Sequence, residues 1–289
     1  MSWLFLSLAT ALANALEVTT VKRFFSGLSI SRTVAPPMAY SLPLFLLTLP
    51  FVEPASIKPG FWTTLAILLP FNILGYFMSL RAVTISPLSL TMPFQALTPM
   101  AVLLTGFLIL GELPSLPGAC GILGIAVGSY VLGIGSGPGK SLLSPIRAVL
   151  KERGSVYMIL AAILFGLTAV LGKKLLQESS PVTAGLTLLI TQNALVVAAL
   201  LALKKIRPRD LLRQPAASAA AGALLYCHVV FHFSAIALAP AAYMISIKRL
   251  SSVFSVIFGG LVFKEEHIAP RLFGAALMTA GAAVIAIWG

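Results

Sequence analysis

The chain has 289 residues, of which 58% are hydrophobic and only 10% charged. An average soluble domain carries about 25% charged residues, so the composition excludes a water-soluble globular enzyme and, by its apolar content, a disordered chain. The formal net charge of +12 is not a nucleic-acid signal, because the Lys and Arg residues flank apolar runs as membrane-bordering cations do.

About 20 apolar residues cross a bilayer as a helix. The sequence predicts ten such spans, at 2–20, 33–51, 61–82, 87–110, 117–135, 155–172, 182–203, 216–237, 241–262 and 268–288. Turn-forming pairs sit at or near the breaks: Pro36-Pro37, Glu53-Pro54, Ser86-Pro87, Pro114, Gly137-Pro138-Gly139, Ser180-Pro181, Pro208 and Ala239-Pro240. The runs are too long and too uniformly apolar for barrel strands, which alternate. The expected fold is an all-α integral membrane protein of ten transmembrane helices. The first run has no basic stretch before it, so it is expected to remain a span and not a cleaved signal peptide. Cys120 and Cys227 both lie inside apolar runs and read as packed helix residues.

The second half of the chain repeats the first. At a fixed offset of 153, Ala82 meets Ala235, Pro87 meets Pro240, Gly106 meets Gly259 and Leu108 meets Leu261. At the same offset Glu112 meets Glu265, Pro117 meets Pro270, Gly121 meets Gly274, Gly128 meets Gly281 and Val131 meets Val284. Lys22-Arg23 corresponds to Lys173-Lys174 at an offset of 151. The halves are 1–140 and 150–289, each with five spans. An odd number of spans turns the second half over in the membrane, which makes an inverted repeat. Such repeats recur in secondary transporters, with the substrate site near the midplane between the halves. The repeated glycines read as close-packing positions between helices, and Glu112 and Glu265 as residues at helix boundaries.

Ten spans in two five-helix halves, with a repeated glycine-glutamate signature, resemble the drug/metabolite transporter superfamily in its EamA-like group. The resemblance covers essentially the whole chain. The stretch Ile247-Lys248-Arg249-Leu250-Ser251-Ser252-Val253 in span nine resembles the Lys-Arg stretch of the triose-phosphate translocator branch, where paired basic residues hold the substrate phosphate. The resemblance implies that role for Lys248 and Arg249. The translocators add a basic residue in span four, whereas the repeat counterpart of Lys248 here is Gln95.

Ionisable groups inside a membrane are costly and mark functional sites. Lys248 lies eight residues past Pro240, about 12 Å into its span at 1.5 Å per residue, and Arg249 is one residue deeper. Their expected role is to bind an anionic substrate; an internal ion pair and snorkelling to the interface are the alternatives. Ser251 and Ser252 share the face of Lys248 and could add hydroxyl donors. Glu17 is a candidate proton-coupling carboxylate, or else an interfacial partner of Lys22 or Arg23. His228 and His232 share a helix face and read as substrate contacts, a proton relay or packed histidines. Asn72, Tyr76 and Ser79 form a polar stripe, and Gln95 and Gln192-Asn193 add amides that should face the bundle interior. Pro93 and Pro99 should break span four around Gln95.

Loops after odd-numbered spans carry 15 of the 20 Lys and Arg residues. The positive-inside rule then sets both termini outside the cytoplasm, against the cytoplasmic termini that the resemblance implies. With ten spans both termini share a side. The expected function is a secondary active transporter of a small polar, anionic metabolite, with substrate held between the repeats. The alternative is a proton-coupled exporter of amino acids or lipophilic cations that uses Glu17. No metal site, cofactor motif or catalytic set is legible, so no enzyme is expected. The expected partners are a small-molecule substrate and the lipid bilayer, with no nucleic acid. Two complete halves make a monomer sufficient, with a homodimer as the alternative, in the cell (inner) membrane.

Overall fold

The computed structural model describes residues 2–51, 57–134, 152–264 and 272–288. Every regular element among them is helical. In chain order these are α1 (Ser2–Phe25), α2 (Ile30–Thr48), α3 (Gly60–Ile85), α4 (Leu88–Thr91), α5 (Thr98–Leu110) and α6 (Leu116–Ile134). The second half supplies α7 (Arg153–Gln177), α8 (Pro181–Ala202), the single turn α9 (Pro208–Leu211), α10 (Pro215–Ile236), α11 (Ala241–Lys248), α12 (Ser251–Phe263) and α13 (Leu272–Trp288). Short 3-10 turns follow α2 at Leu49–Phe51 and join α4 to α5 at Met92–Leu97.

Among the described residues, seven segments are long and apolar enough to cross a membrane: α1, Ile30–Phe51, α3, α7, α8, α10 and Ala241–Phe263. Shorter apolar helices lie at Thr98–Leu110, Leu116–Gly128 and Ala276–Ile285. The exposed surface carries Phe5, Leu47, Phe51, Trp62, Leu108 and Leu261, while Thr10, Glu17, Gln95, Gln192, Asn193 and Arg249 are buried. Apolar outside and polar inside suits a bundle whose solvent is lipid, where every polar group must find its partner internally.

Local sequence fixes the helix ends. The Ser180 hydroxyl accepts the Thr183 N–H at the start of α8, with Pro181 in the first turn. The Glu152 carboxylate accepts the N–H groups of Gly154 and Ser155 at the start of α7. At the end of α5, Gly111 takes a left-handed conformation (φ 68°), which glycine adopts without a Cβ penalty.

Two expectations are corrected. Pro36-Pro37 does not mark a break: α2 runs straight through Pro36, Pro37 and Pro43. A membrane bundle tolerates this because neighbouring groups satisfy the carbonyls that proline leaves free. Span nine is not one continuous helix: it is divided at Arg249-Leu250, between α11 and α12. Span four is divided as expected, by the 3-10 turn that contains Pro93 and by Pro99 in the first turn of α5.

Several local geometries recur at the offset between the halves. Pro87 precedes α4 with φ −57° and ψ 139°, and Pro240 precedes α11 with φ −53° and ψ 137°. Lys264, the counterpart of Gly111, is also left-handed, at φ 54°. Lys22 donates to the Ser86 carbonyl at 3.0 Å, and Lys173 to the Ala239 carbonyl at 2.8 Å. The antiparallel helices α6 and α13 meet backbone to backbone. A Cβ on Gly121 would lie 2.7 Å from the Gly281 carbonyl oxygen, and one on Gly128 would lie 2.7 Å from that of Gly274. Each glycine therefore faces the counterpart of the other.

Glu112 sits away from the start of its own next helix. It pairs with Lys173 and accepts the Ala241 N–H at 3.1 Å, so its charge lies at the N-terminus of α11, in the other half. Its counterpart Glu265 lies outside the described residues, as does the linker at Gly137-Pro138-Gly139.

Candidate functional site

Several polar and charged side chains of the core line one cavity of about 120 Å³. Its walls come from both halves. The first half supplies Asn14 and Glu17 from α1, Asn72, Tyr76 and Ser79 from α3, and Gln95 from the 3-10 turn. The second supplies Thr168 from α7, Gln192 from α8, His228 and His232 from α10, and Lys248 and Arg249 from the break between α11 and α12. Leu68, Leu188, Leu225 and Phe233 form its apolar floor and sides. Each polar side chain here stands on a membrane-length helix or at a helix break, where rigid packing holds it.

Glu17 is 1% exposed. Its Oε1 accepts the Tyr76 hydroxyl at 3.0 Å. Its Oε2 lies 2.8 Å from His228 Nδ1. Both oxygens of this carboxylate are thus engaged, by α3 and by α10. One turn further along α10, His232 Nδ1 lies 3.4 Å from Lys248 Nζ. The two histidines face opposite charges: His228 the carboxylate, and His232 the ammonium.

Arg249 is buried and donates from Nη1 to Gln95 Oε1, while its Nε has no partner. Gln95 in turn donates to Met158 Sδ at 3.3 Å. Gln95 and Arg249 stand at the two helix breaks, so their bond joins one break to the other across the halves. No carboxylate among the described residues lies within 4.0 Å of Lys248 or Arg249. Asn72 Nδ2 donates to Gln192 Oε1 at 2.7 Å, between α3 and α8.

The structure gathers Glu17, Tyr76, Ser79, Gln95, His228, His232, Lys248 and Arg249 around this single cavity. Ser252 is elsewhere. It donates to the Met92 carbonyl at 2.9 Å and takes no place in the lining. Ser251 is buried beside it with no partner. Glu17 does not meet Lys22 or Arg23. Asn193 lies outside the lining and donates to Ser41 at 2.9 Å. Asn14 is a lining residue that the sequence reading missed. Its signal was available, three residues before Glu17 and so on the same face of α1. Thr168, the repeat counterpart of Glu17, also lines the cavity. Among the described residues no group of three His, Cys, Asp or Glu side chains is placed to hold a metal ion.

An arrangement of two cations, one engaged carboxylate and several amides and hydroxyls can bind a small polar anion.

Three comparisons frame this geometry. The sequence model of the EamA-like transporter family matches residues 1–134 and 152–287. No curated protein matches the chain. A crystal structure described only as that of a protein shares the fold, with TM-score 0.64 and 15% identity over 98% of this chain and 94% of that one.

Proposed function

The chain belongs to the EamA-like transporter family, and from that premise we propose that it is a secondary active transporter of a small, anionic metabolite. As a family member it is a multi-pass membrane transporter of the drug/metabolite kind. The proposed architecture is ten spans in two inverted five-helix repeats, with both termini on one side of the cell (inner) membrane. The family match to each half supports the repeat. So do the matched backbones before α4 and α11, the paired lysine-to-carbonyl bonds and the exchanged glycine contacts.

The observation that carries the substrate class is Lys248. Its ammonium lines the cavity at the break of span nine, with a histidine nitrogen at 3.4 Å and, among the described residues, no carboxylate within 4.0 Å. A buried charge is costly unless compensated, so this cation is the natural partner of an anion entering the cavity. Discontinuous helices meeting at the repeat interface are where transporters of this kind of architecture bind their substrates. Arg249 adds positive charge while holding the two breaks together through Gln95. Tyr76, Ser79, His228 and His232 supply polar contacts around the bound solute. An exporter of lipophilic cations is disfavoured, because its substrate would share about 120 Å³ with two buried cations.

Alternating access is proposed from an asymmetry between the halves. Helix α10 meets α2 so closely that a Cβ on Gly222 would lie 2.8 Å from the Tyr40 backbone. The counterpart pair, α3 and α8, meets through the side chains of Asn72 and Gln192. If the halves exchange conformations, the first crossing opens and the second closes.

Uptake of labelled small carboxylates into proteoliposomes tests this reading. Removing a charge-assisted contact is worth roughly 1.5–3 kcal/mol, so Lys248→Ala should cut uptake about 10-fold or more. Arg249→Ala should do at least as much, since it also unties the two breaks. Unchanged anion uptake in both variants would sink the proposal.

A further inference from the structure

We propose that Glu17 sets the valence of the transported anion and restricts the cavity to small monovalent carboxylates. This rests on the anion-transport reading above and adds the charge of the substrate and the residue that selects it.

Among the described lining residues, the groups that carry a full charge when ionised are Lys248, Arg249 and Glu17. The other titratable groups facing the cavity are Tyr76 from α3 and His228 and His232 from α10. With those three neutral, the cavity carries one positive charge in excess. A monovalent anion brings the site to neutrality, and a divalent anion leaves it with one negative charge surrounded by core. Uncompensated charge in a buried site is what a folded protein avoids.

Glu17 is 1% exposed, and its two oxygens already meet Tyr76 and His228, at 3.0 and 2.8 Å. It therefore acts as a fixed negative charge on the cavity wall. At an effective permittivity of about 20, two unit charges some 6 Å apart change an equilibrium about 100-fold. That is ample to reject a second negative charge on a solute. The charge of Arg249, whose Nη1 donates to Gln95, is already in that count of charges. Lys248 remains, and its three N–H donors suit the two oxygens of one carboxylate. The volume sets the scale: about 120 Å³ is somewhat less than the roughly 150 Å³ that holds a benzene molecule. A solute of about six non-hydrogen atoms fits.

The experiment compares labelled lactate, malonate and lactamide in proteoliposomes at pH 8, with wild-type protein, Glu17→Gln and Glu17→Asp. Lactate and lactamide have the same size and differ by the charge; malonate adds a second charge. Wild-type protein should take up lactate at least 10-fold faster than malonate or lactamide. Glu17→Gln should raise malonate relative to lactate by at least 10-fold and leave lactamide low. Glu17→Asp keeps the charge and should keep the wild-type order even where the absolute rate falls, which separates charge from packing. An unchanged malonate-to-lactate ratio in Glu17→Gln, or equal uptake of both by wild type, overturns the valence role and leaves anion transport standing. If neither anion is taken up and neither stabilises the detergent-solubilised protein against heat, the anion reading and this inference fall together.

Discussion

At the scale of single residues, the polar groups inside apolar runs were the legible part of the site. Glu17, His228, His232, Lys248 and Arg249 stand out in the sequence because lipid makes each of them costly. Their partners were not legible. Nothing in the local sequence says that Glu17 turns to Tyr76 and His228 in preference to Lys22 or Arg23. The choice depends on how α1 packs against α3 and α10. Ser252 shows the same limit: its spacing from Lys248 suggested a substrate contact, and the adjoining break of span four supplies the Met92 carbonyl instead. Outside the spans, Glu152 allows a pH prediction. Partial burial opposes its ionisation, but hydrogen bonds from Ser86, Ser155 and Gly154 outweigh it and hold the carboxyl below its ordinary value of 4.5. A carboxylate depressed on folding stabilises the fold above its ordinary pKa, and that contribution is lost as the pH falls through the lower folded value. Glu152→Gln should therefore lower the melting temperature at pH 7, at a cost of about 1 kcal/mol. It should also flatten the acid limb of stability below pH 4.5. Melting curves of the purified protein from pH 3 to 8 provide the measurement.

At the scale of elements, length and hydropathy located the helices, and proline proved an uneven guide to their breaks. Pro93 and Pro99 do accompany an interrupted helix. Pro36, Pro37 and Pro43 lie inside an uninterrupted one. The break at Arg249-Leu250 has no proline at all, and it lies where Arg249 donates to Gln95. The glycines differ just as widely under one sequence signature. A Cβ on Gly281 would lie 2.6 Å from the Gly121 carbonyl oxygen and 2.8 Å from the Ile125 nitrogen, both backbone atoms that cannot step aside. On Gly106 it would meet only Val170 Cγ2, at 3.9 Å. Gly281→Ala should therefore destabilise the protein by about 1–3 kcal/mol through overpacking. Gly106→Ala should be neutral or should stabilise α5 by up to about 1 kcal/mol through helix propensity. Thermal melts in one detergent compare the two directly, and equal losses would contradict the account.

At the scale of the whole molecule, the proposed division into halves was read from matches at a fixed offset. Which conformation the halves adopt was not legible, since both share the same pattern while α3 meets α8 through side chains and its counterpart crossing, α2 with α10, brings backbone against backbone. The proposed exchange of conformations makes that crossing a moving part. With Cys120 and Cys227 replaced, Thr48→Cys and Tyr226→Cys stand where two side chains touch across it at 2.8 Å. A short bifunctional thiol cross-linker should then arrest uptake in proteoliposomes, and the same reagent should leave each single variant active. Transport at the same rate in the cross-linked and untreated protein would show that the crossing does not open.

The seam between α6 and α13 has a consequence for how such a chain can be built. Gly121 meets Gly281 and Gly128 meets Gly274, so each half presents the same patch to the other, as the subunits of a symmetric dimer do. A half-length polypeptide already contains both sides of that contact. Two identical copies inserted in opposite senses could join through it without any new surface being invented.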